Sequence, residues 1–194
     1  MSAPGSRSRL FVALALPDQV RELLARYLAR CAELAPDQRW APAANLHLTL
    51  YFLGWVEPEA MTRIAARLAG VHRPPFRLQL GALGSFGTPA RPRVLWIGVA
   101  GGREPLAALA GEVARACREA GVMGDERPYN PHLTLCRVRS GAPLPALLDP
   151  QPLPAWEARS FTLFESRPGP RGSVYVPLQE YQLTHFDGGV GDRE

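Results

Sequence analysis

The sequence contains no lysine, so all 22 of its basic residues are arginines. They outnumber 18 acidic residues and give the chain a formal net charge of +4 at pH 7. This small excess permits an anionic partner without requiring one. An arginine can bind phosphate with two parallel hydrogen bonds, but heavy use of arginine, alanine, glycine and proline is also typical of a coding-composition bias. The arginines alone therefore do not indicate phosphate recognition.

Cysteine is also scarce, since only Cys31, Cys117 and Cys136 are present. An odd number at no metal-ligand spacing excludes a disulfide framework and favours a reducing compartment, the cytoplasm. No apolar run approaches the length of a membrane span, so a membrane protein is not expected. The run at residues 10–16 follows two arginines as in a signal peptide, but it stops at Pro17 and is better explained as a buried strand.

Histidine is rare as well, and its placement is informative. Two of the four histidines open the same segment, His-Leu-Thr-Leu, at residues 47–50 and 132–135. Successive side chains of a strand point to opposite faces, so each histidine shares a face with its threonine while the leucines face a core. One copy would more often be an ordinary strand histidine. Two copies predict an active site built from imidazole and hydroxyl groups.

Each His-Leu-Thr-Leu segment completes the same order of elements, a strand followed by an amphipathic helix and a second strand. The first helix is predicted from apolar residues at i, i+3, i+4 and i+7 spacing after Pro17, and the second runs from Glu104 to a stop at Gly121. A short helix at residues 61–68 and further strands at residues 76–80, 94–99 and 174–183 complete the predicted elements. Gly81, Gly84 and Gly87 are expected to form a loop, with turn geometry favoured over a phosphate cradle.

The repeat extends beyond the histidines. Phe76 and Phe161 each open a strand, and the interval between them equals the interval between His47 and His132. A duplicated unit related by a pseudo-two-fold axis would bring the two histidine faces together. We therefore expect one domain, residues 1–194, with tandem half-units at roughly 10–90 and 93–185 and a frayed tail at 188–194.

Two histidines on either side of one phosphodiester supply the acid and the base that cleavage of a P–O bond requires. The unperturbed pKa of imidazole, about 6.5, suits both roles near neutral pH. Threonine hydroxyls can donate to the non-bridging oxygens, where negative charge grows. Neither segment contains a carboxylate or a cysteine at metal-ligand spacing, so neither a metal nor another cofactor is expected.

The paired segments, with Arg-Trp-Ala-Pro at residues 39–42 and Arg137 closing the second copy, resemble the 2H phosphoesterase superfamily. Within it, the sequence is most similar to the RNA 2′,3′-cyclic phosphodiesterase family, also called 2′-5′ RNA ligase. The similarity extends from Leu10 to about Leu183. It implies a bilobal α+β fold in which two antiparallel sheets, flanked by helices, enclose a central groove.

The resemblance also assigns roles to the residues. It implies that His47 is the proton donor, that His132 is the proton acceptor, and that Thr49 and Thr134 contact the phosphate. Such enzymes open a terminal 2′,3′-cyclic phosphate to a 2′-phosphomonoester, and some also join RNA ends through a 2′-5′ bond without ATP. The repeat itself makes the two histidines nearly equivalent, so the acid and the base are distinguished by the resemblance alone.

Three further candidates depend on strand geometry or on the resemblance. Arg137 lies five positions after His132, on the opposite face of a regular strand, and would reach a phosphate only if a bulge turned it. Tyr51 would share the His47 face and could stack on a base, although a partly buried tyrosine is an equal alternative. Ser166 is a phosphate-binding candidate by family similarity alone. His72 and His185 are predicted to be surface residues.

The expected partner is RNA with a 2′,3′-cyclic phosphate end, or a small cyclic nucleotide, acted on by a monomer in a bacterial cytoplasm. Two alternatives stay open at this stage. One is a non-catalytic module that binds RNA ends or nucleotides and keeps the histidines as phosphate contacts. The other is a phosphodiesterase for another small cyclic or 2′-5′-linked nucleotide.

Overall fold

The computed structural model describes residues 6–88, 91–139, 153–170 and 172–184. This part of the chain contains nine β-strands and three α-helices. The strands are β1 (Ser8–Ala15), β2 (Arg39–Trp40), β3 (His47–Val56), β4 (Phe76–Thr88), β5 (Arg91–Gly101), β6 (His132–Arg137), β7 (Trp156–Ala158), β8 (Ser160–Gly169) and β9 (Gly172–Gln182). The helices are α1 (Asp18–Leu34), α2 (Pro58–Leu68) and α3 (Arg103–Glu119), and a 3-10 turn at Ala43–Asn45 precedes β3.

The strands form two sheets, and each sheet carries one histidine strand. The first has the order β3-β1-β8-β9, and the second has the order β2-β6-β5-β4-β7. Every neighbouring pair is antiparallel. The predicted α+β class with two antiparallel sheets is therefore confirmed.

The two sheets are related by an exchange of strands between the halves of the sequence. In the first sheet β1 lies between β3 and β8, and in the second β5 lies between β6 and β4. Strand β4, from the first half of the sequence, pairs with β5 of the second half. Its counterpart β8, from the second half, pairs with β1 of the first half. Helices α1 and α3, which follow β1 and β5, each contain 17 residues. Each sheet thus contains strands from both predicted half-units, and the division at 10–90 and 93–185 stays a prediction.

The helices bury the apolar stripes that their sequence spacing predicts. Helix α1 begins directly after Pro17 and buries Val20, Leu24, Leu28 and Cys31, which are spaced at i, i+4, i+8 and i+11. Helix α2 has a proline at its first position, where the missing N–H costs nothing, and α3 buries Leu106, Leu109, Ala110, Val113, Ala116 and Cys117. These faces join the leucine faces of the sheets in one core.

The apolar run near the amino terminus is a central strand, because β1 pairs on both sides and residues 10–14 are all buried. The glycine segment differs from its prediction. Gly81, Gly84 and Gly87 lie within the long strand β4 instead of a loop. A Cβ atom at Gly84 would overlap the indole ring of Trp96 on β5, so this glycine permits close packing across the sheet.

The three cysteines are buried and free. Burial raises the pKa of the Cys117 thiol to about 12 and that of the Cys136 thiol to about 11, so neither forms a reactive thiolate near neutral pH. No helix in the described segments is long and apolar enough to cross a membrane. His185 and the predicted frayed tail at 188–194 lie outside the described residues.

Candidate active site

Both candidate histidines are held by the same backbone contact. The Nδ1 atom of His47 lies 2.7 Å from the carbonyl oxygen of Asn45, and the Nδ1 atom of His132 lies 2.7 Å from the carbonyl oxygen of Asn130. A carbonyl oxygen only accepts, so Nδ1 carries the hydrogen in both rings. This fixes the neutral tautomer and leaves Nε2 of each ring as the nitrogen that can exchange a proton with a ligand.

The Nε2 atom of His47 lies 3.1 Å from the Thr49 hydroxyl oxygen, two residues along the same strand. In the neutral ring Nε2 accepts the hydroxyl hydrogen, and in the charged ring Nε2 donates to the hydroxyl oxygen. The second arrangement leaves the hydroxyl hydrogen free to bind an anion. The predicted shared face of His47 and Thr49 is therefore observed as a direct contact.

The two histidine strands belong to different sheets, yet β3 and β6 contact each other. The side chains are close enough for the positive charge of His132 to act on His47. Burial is the main cause that lowers the pKa of His47; the Asn45 carbonyl opposes it, and the charge of His132 adds to it. The structure therefore brings together the two halves of the site that lie far apart in the sequence.

Aromatic rings surround His47 on the first sheet. Its ring centre lies 4.8 Å from that of Phe11 on β1 and 5.1 Å from that of Tyr175 on β9, which meets it edge-on. The side-chain amide of Asn45 donates to the carbonyl oxygen of Ser173, 2.7 Å away, and so ties the turn before β3 to the same strand as Tyr175. The ring is positioned by packing as well as by hydrogen bonds.

His132 has a similar aromatic setting on the second sheet. Its ring centre lies 4.8 Å from that of Phe86, which meets it edge-on, and 6.3 Å from that of Trp96. Trp96 pairs directly with Thr134 in the register of β5 and β6. Thr134 thus shares the predicted face of His132.

A β-bulge interrupts β3 directly after its His-Leu-Thr segment. Thr49 pairs with Ala13 and Tyr51 pairs with Val12, so Leu50 is an extra residue. Tyr51 is consequently only 7% exposed, and its hydroxyl accepts the Gly124 backbone N–H at 2.7 Å. The prediction that Tyr51 shares the His47 face is wrong, and a base-stacking role for its buried ring is not proposed.

The same bulge occurs at the equivalent leucine of β6. Thr134 pairs with Trp96 and Cys136 pairs with Leu95, so Leu135 is the extra residue. Leu135 and Cys136 are both buried, and the exposed Arg137 resumes the phase of His132 and Thr134. The bulge that Arg137 needs in order to lie on the same face as His132 is therefore present. Its contact with phosphate stays a prediction.

Ser166 is linked to the site through its strand partner on β9. It is 9% exposed and pairs on β9 with Tyr175, whose ring contacts His47. The carboxylate of its neighbour Glu165 accepts hydrogen bonds from Ser8 and Arg167. A phosphate-binding role for Ser166 stays a prediction.

The two asparagine carbonyls and the aromatic rings were not predicted from the sequence. An Asn two residues before each histidine was visible in both copies, and that recurrence was the available signal for the carbonyl contacts. The aromatic neighbours come from distant strands and carry no comparable signal. Within the described residues, no three His, Cys, Asp or Glu side chains are grouped so as to hold a metal ion. The predicted independence from metal is left to experiment.

Comparisons with known proteins agree with this geometry. A family model for the 2′-5′ RNA ligase superfamily matches residues 16–167. An Archaeoglobus fulgidus protein named RNA 2′,3′-cyclic phosphodiesterase is 34% identical over 178 residues, covering 90% of this chain and 99% of the relative. An Escherichia coli protein of the same name is 33% identical over 187 residues, covering 95% and 99%.

Solved structures show the same fold. The apo form of E. coli LigT superposes with a TM-score of 0.77 at 29% identity, covering 93% of this chain and 99% of LigT. A structure from Thermus thermophilus gives a TM-score of 0.80 at 29% identity, with 92% and 99% covered. These matches confirm the resemblance drawn from the paired histidine segments, and the chain belongs to the 2′-5′ RNA ligase superfamily.

Proposed function

We propose that this chain is an RNA 2′,3′-cyclic phosphodiesterase that opens a terminal 2′,3′-cyclic phosphate to a 2′-phosphomonoester. The observation that carries the proposal is the pair of histidines whose Nδ1 atoms are both engaged by a backbone carbonyl, so that Nε2 is the proton-exchanging nitrogen of each ring. Relatives that bear this name cover most of the chain. Acid and base at one phosphate are what the reaction needs.

In the proposed reaction, Nε2 of His132 accepts a proton from water as the water oxygen bonds to phosphorus. The bond between phosphorus and the 3′ oxygen breaks, and Nε2 of His47 gives its proton to that oxygen. The phosphate stays on the 2′ oxygen. If the 5′ hydroxyl of a second RNA end takes the place of water, the same two proton transfers produce a 2′-5′ bond.

The donor role of His47 depends on the substrate. Burial lowers the pKa of His47 in the ligand-free chain, which favours the neutral ring. A phosphate between the histidines is negatively charged and stabilises the imidazolium, so binding raises this pKa and supplies the protonated donor. The Thr49 hydroxyl, 3.1 Å from Nε2, then donates to a non-bridging oxygen, as does Thr134 from the facing strand.

The substrate class, the compartment and the oligomeric state complete the proposal. RNA with a cyclic phosphate end is favoured because the relatives are named for it and because the exposed Arg137 continues the His132 face. Buried free cysteines are consistent with a cytoplasmic protein. We propose that the protein acts as a monomer without a cofactor.

The test is incubation with a nucleoside 2′,3′-cyclic phosphate in EDTA, with chromatography against 2′- and 3′-phosphate standards. We expect the 2′ isomer. No product would support a binding module, and activity restored by added metal would indicate a metal enzyme. The variant His72→Ala, which changes an exposed histidine outside both His-Leu-Thr-Leu segments, is the matched control and should retain full activity.

A further inference from the structure

An open pocket of about 320 Å³, lined by Arg39, Arg137, Val138 and Arg139, lies at one edge of the second sheet. We call it the arginine pocket. It is formed where the edge strand β2 pairs with the end of β6. Its three arginines are exposed, and only Arg137 belongs to the site described above.

The backbone around the arginine pocket is fixed on both sides. Arg39 pairs directly with Arg137, while the next pair turns inward, Trp40 packing against the core opposite the buried Cys136. The backbone N–H of Arg139 donates to the side-chain oxygen of the buried Gln38 at 2.9 Å. The fold therefore brings the three arginine residues to one opening.

Arg39 and Arg137 carry like charges directly opposite each other on paired strands. Like charges directly opposite each other on paired strands are destabilising. Across the described segments, ion pairs to carboxylates involve Arg7, Arg21, Arg73, Arg115, Arg127, Arg159 and Arg167. None of those pairs includes an arginine of the pocket. A planar, fork-shaped guanidinium is suited to phosphate, and three arginines line this one opening.

The position of the pocket shows which phosphate it would bind. Arg137 lies five residues after His132 on the same strand, roughly 15 Å away. Arg39 and Arg139 are therefore placed to reach a phosphate beside the one that the histidines attack. A nucleoside 2′,3′-cyclic phosphate has no second phosphate, whereas an RNA chain has one at each linkage on the 5′ side of its terminal nucleotide.

We propose that the arginine pocket binds an internucleotide phosphate of the RNA upstream of its cyclic end, and that Arg39 and Arg139 thereby select oligonucleotides over mononucleotides. This inference rests on the proposed function, because it assigns a second contact to the same substrate. Arg39 and Arg139 are specificity residues and do not touch the reacting atoms.

The test compares two substrates with the same terminal base, a nucleoside 2′,3′-cyclic phosphate and a short oligoribonucleotide ending in a 2′,3′-cyclic phosphate. The double variant Arg39→Gln/Arg139→Gln leaves Arg137 in place. We expect kcat/KM for the oligonucleotide to fall by about tenfold or more, since hydrogen bonds to charged groups are lost. Hydrolysis of the mononucleotide should be unchanged within about twofold, because no contact with that substrate is removed.

The matched control is Arg26→Gln/Arg30→Gln, which removes the same charge from the exposed face of α1. It should preserve the preference for the oligonucleotide. The salt dependence of oligonucleotide hydrolysis should become shallower only in the pocket variant, by about 0.7 in the log–log slope for each lost phosphate contact. Relief of the Arg39–Arg137 repulsion should leave the Tm of the pocket variant equal to or above that of wild type.

An equal loss on both substrates, or an equal loss of oligonucleotide activity in the control, would overturn the inference. If wild type hydrolyses neither substrate, the proposed function fails instead. The pocket is then tested by fluorescence anisotropy with a labelled oligoribonucleotide bearing a 3′-phosphate. Weaker binding by the pocket variant than by the control would support the phosphate site, and equal binding would refute it.

Discussion

The two sheets have the same backbone arrangement around their histidines, but the side chains beside each histidine differ. Each has an Nδ1 atom 2.7 Å from the carbonyl oxygen two residues earlier, an edge-on aromatic ring, and a bulge at the second leucine. Two residues after the bulged leucine, the side chain lies on the histidine face again. This residue is Phe52 in the first sheet and Arg137 in the second. The duplicated backbone therefore supplies the proton-transfer geometry twice, and the side chains after the bulge give the two faces different surroundings.

Those surroundings also separate the two faces electrostatically. Phe52 stacks with Phe11 at 6.2 Å between ring centres, and the exposed Arg9 lies over Phe52 at 5.0 Å. On the second face Arg137 stands opposite Arg39 at the arginine pocket. The first face is thus mainly apolar around His47, whereas the second continues into a cluster of positive charge. This difference favours distinct roles for two histidines that the sequence repeat makes nearly equivalent.

The largest expected effect comes from removing either histidine. His47→Ala and His132→Ala should each lower kcat for cyclic-phosphate hydrolysis by about 10²- to 10⁴-fold, the usual contribution of a general acid or base. The double variant should lose little more than either single variant, because the two transfers act as a unit. Steady-state assays with a nucleoside 2′,3′-cyclic phosphate measure this. Substantial activity in one single variant would mean that only one face is catalytic.

The threonines give a smaller effect and distinguish the two faces. Thr49→Val and Thr134→Val should each lower kcat on the order of 10²-fold, by loss of a donor to the developing charge. Only Thr49→Val should also change the titration of His47, because its hydroxyl is 3.1 Å from Nε2. NMR of the His47 ring measures that titration. An equal change of the His47 pKa in both variants would contradict the assigned contact.

The pKa of His47 predicts how stability depends on pH. Burial lowers this pKa below the ordinary 6.5, so the unfolded chain takes up the proton before the folded chain does. Stability from this group should therefore decrease as pH falls from 6.5 through the folded value and stay constant below it. Urea unfolding at several pH values measures the loss.

The variant His47→Gln tests the assignment of that loss. It should remove part of the acid-dependent decrease in stability, because the titrating ring is gone. Inorganic phosphate should raise the pKa of His47 in the NMR titration, since a bound anion stabilises the charged ring. A His47 ring that titrates above 6.5 without ligand would refute the lowered pKa.

Regular periodicity explains which parts of the fold and site were predictable. The spacing of Val20, Leu24 and Leu28 predicted α1, and alternation within His-Leu-Thr-Leu predicted the buried leucines and the shared face of each histidine and threonine. These features depend only on neighbouring residues. The recurrence of the segment also predicted a duplicated unit whose two histidine faces meet.

The sequence predictions were wrong or missing where the local structure depends on residues that are distant in the sequence. In the sequence, Gly84 is typical of a turn. In the structure it lies in a strand, where the indole of Trp96 occupies the space that a side chain would need. Leu50 and Leu135 give no sign that they are bulged, because a leucine suits a regular strand equally well. One extra residue reverses the alternation, so Tyr51 was assigned to the wrong face. The approach of Phe11 and Tyr175 to His47 depends on strand order, which local spacing does not determine.

The smallest effect on activity is expected at Tyr51, because its side chain lies on the core side of β3 and His47 lies on the other side. Tyr51→Phe removes the hydroxyl that accepts the Gly124 N–H at 2.7 Å, a partly buried hydrogen bond. The free energy of unfolding should fall by about 1 kcal/mol, the usual net contribution of one hydrogen bond, measured by urea denaturation. Hydrolysis of both substrates should be unchanged, because the ring lies on the core side of β3. A fall in activity without a loss of stability would place Tyr51 on the histidine face. Tyr51, and not Phe52, would then be the residue of the first sheet that corresponds to Arg137.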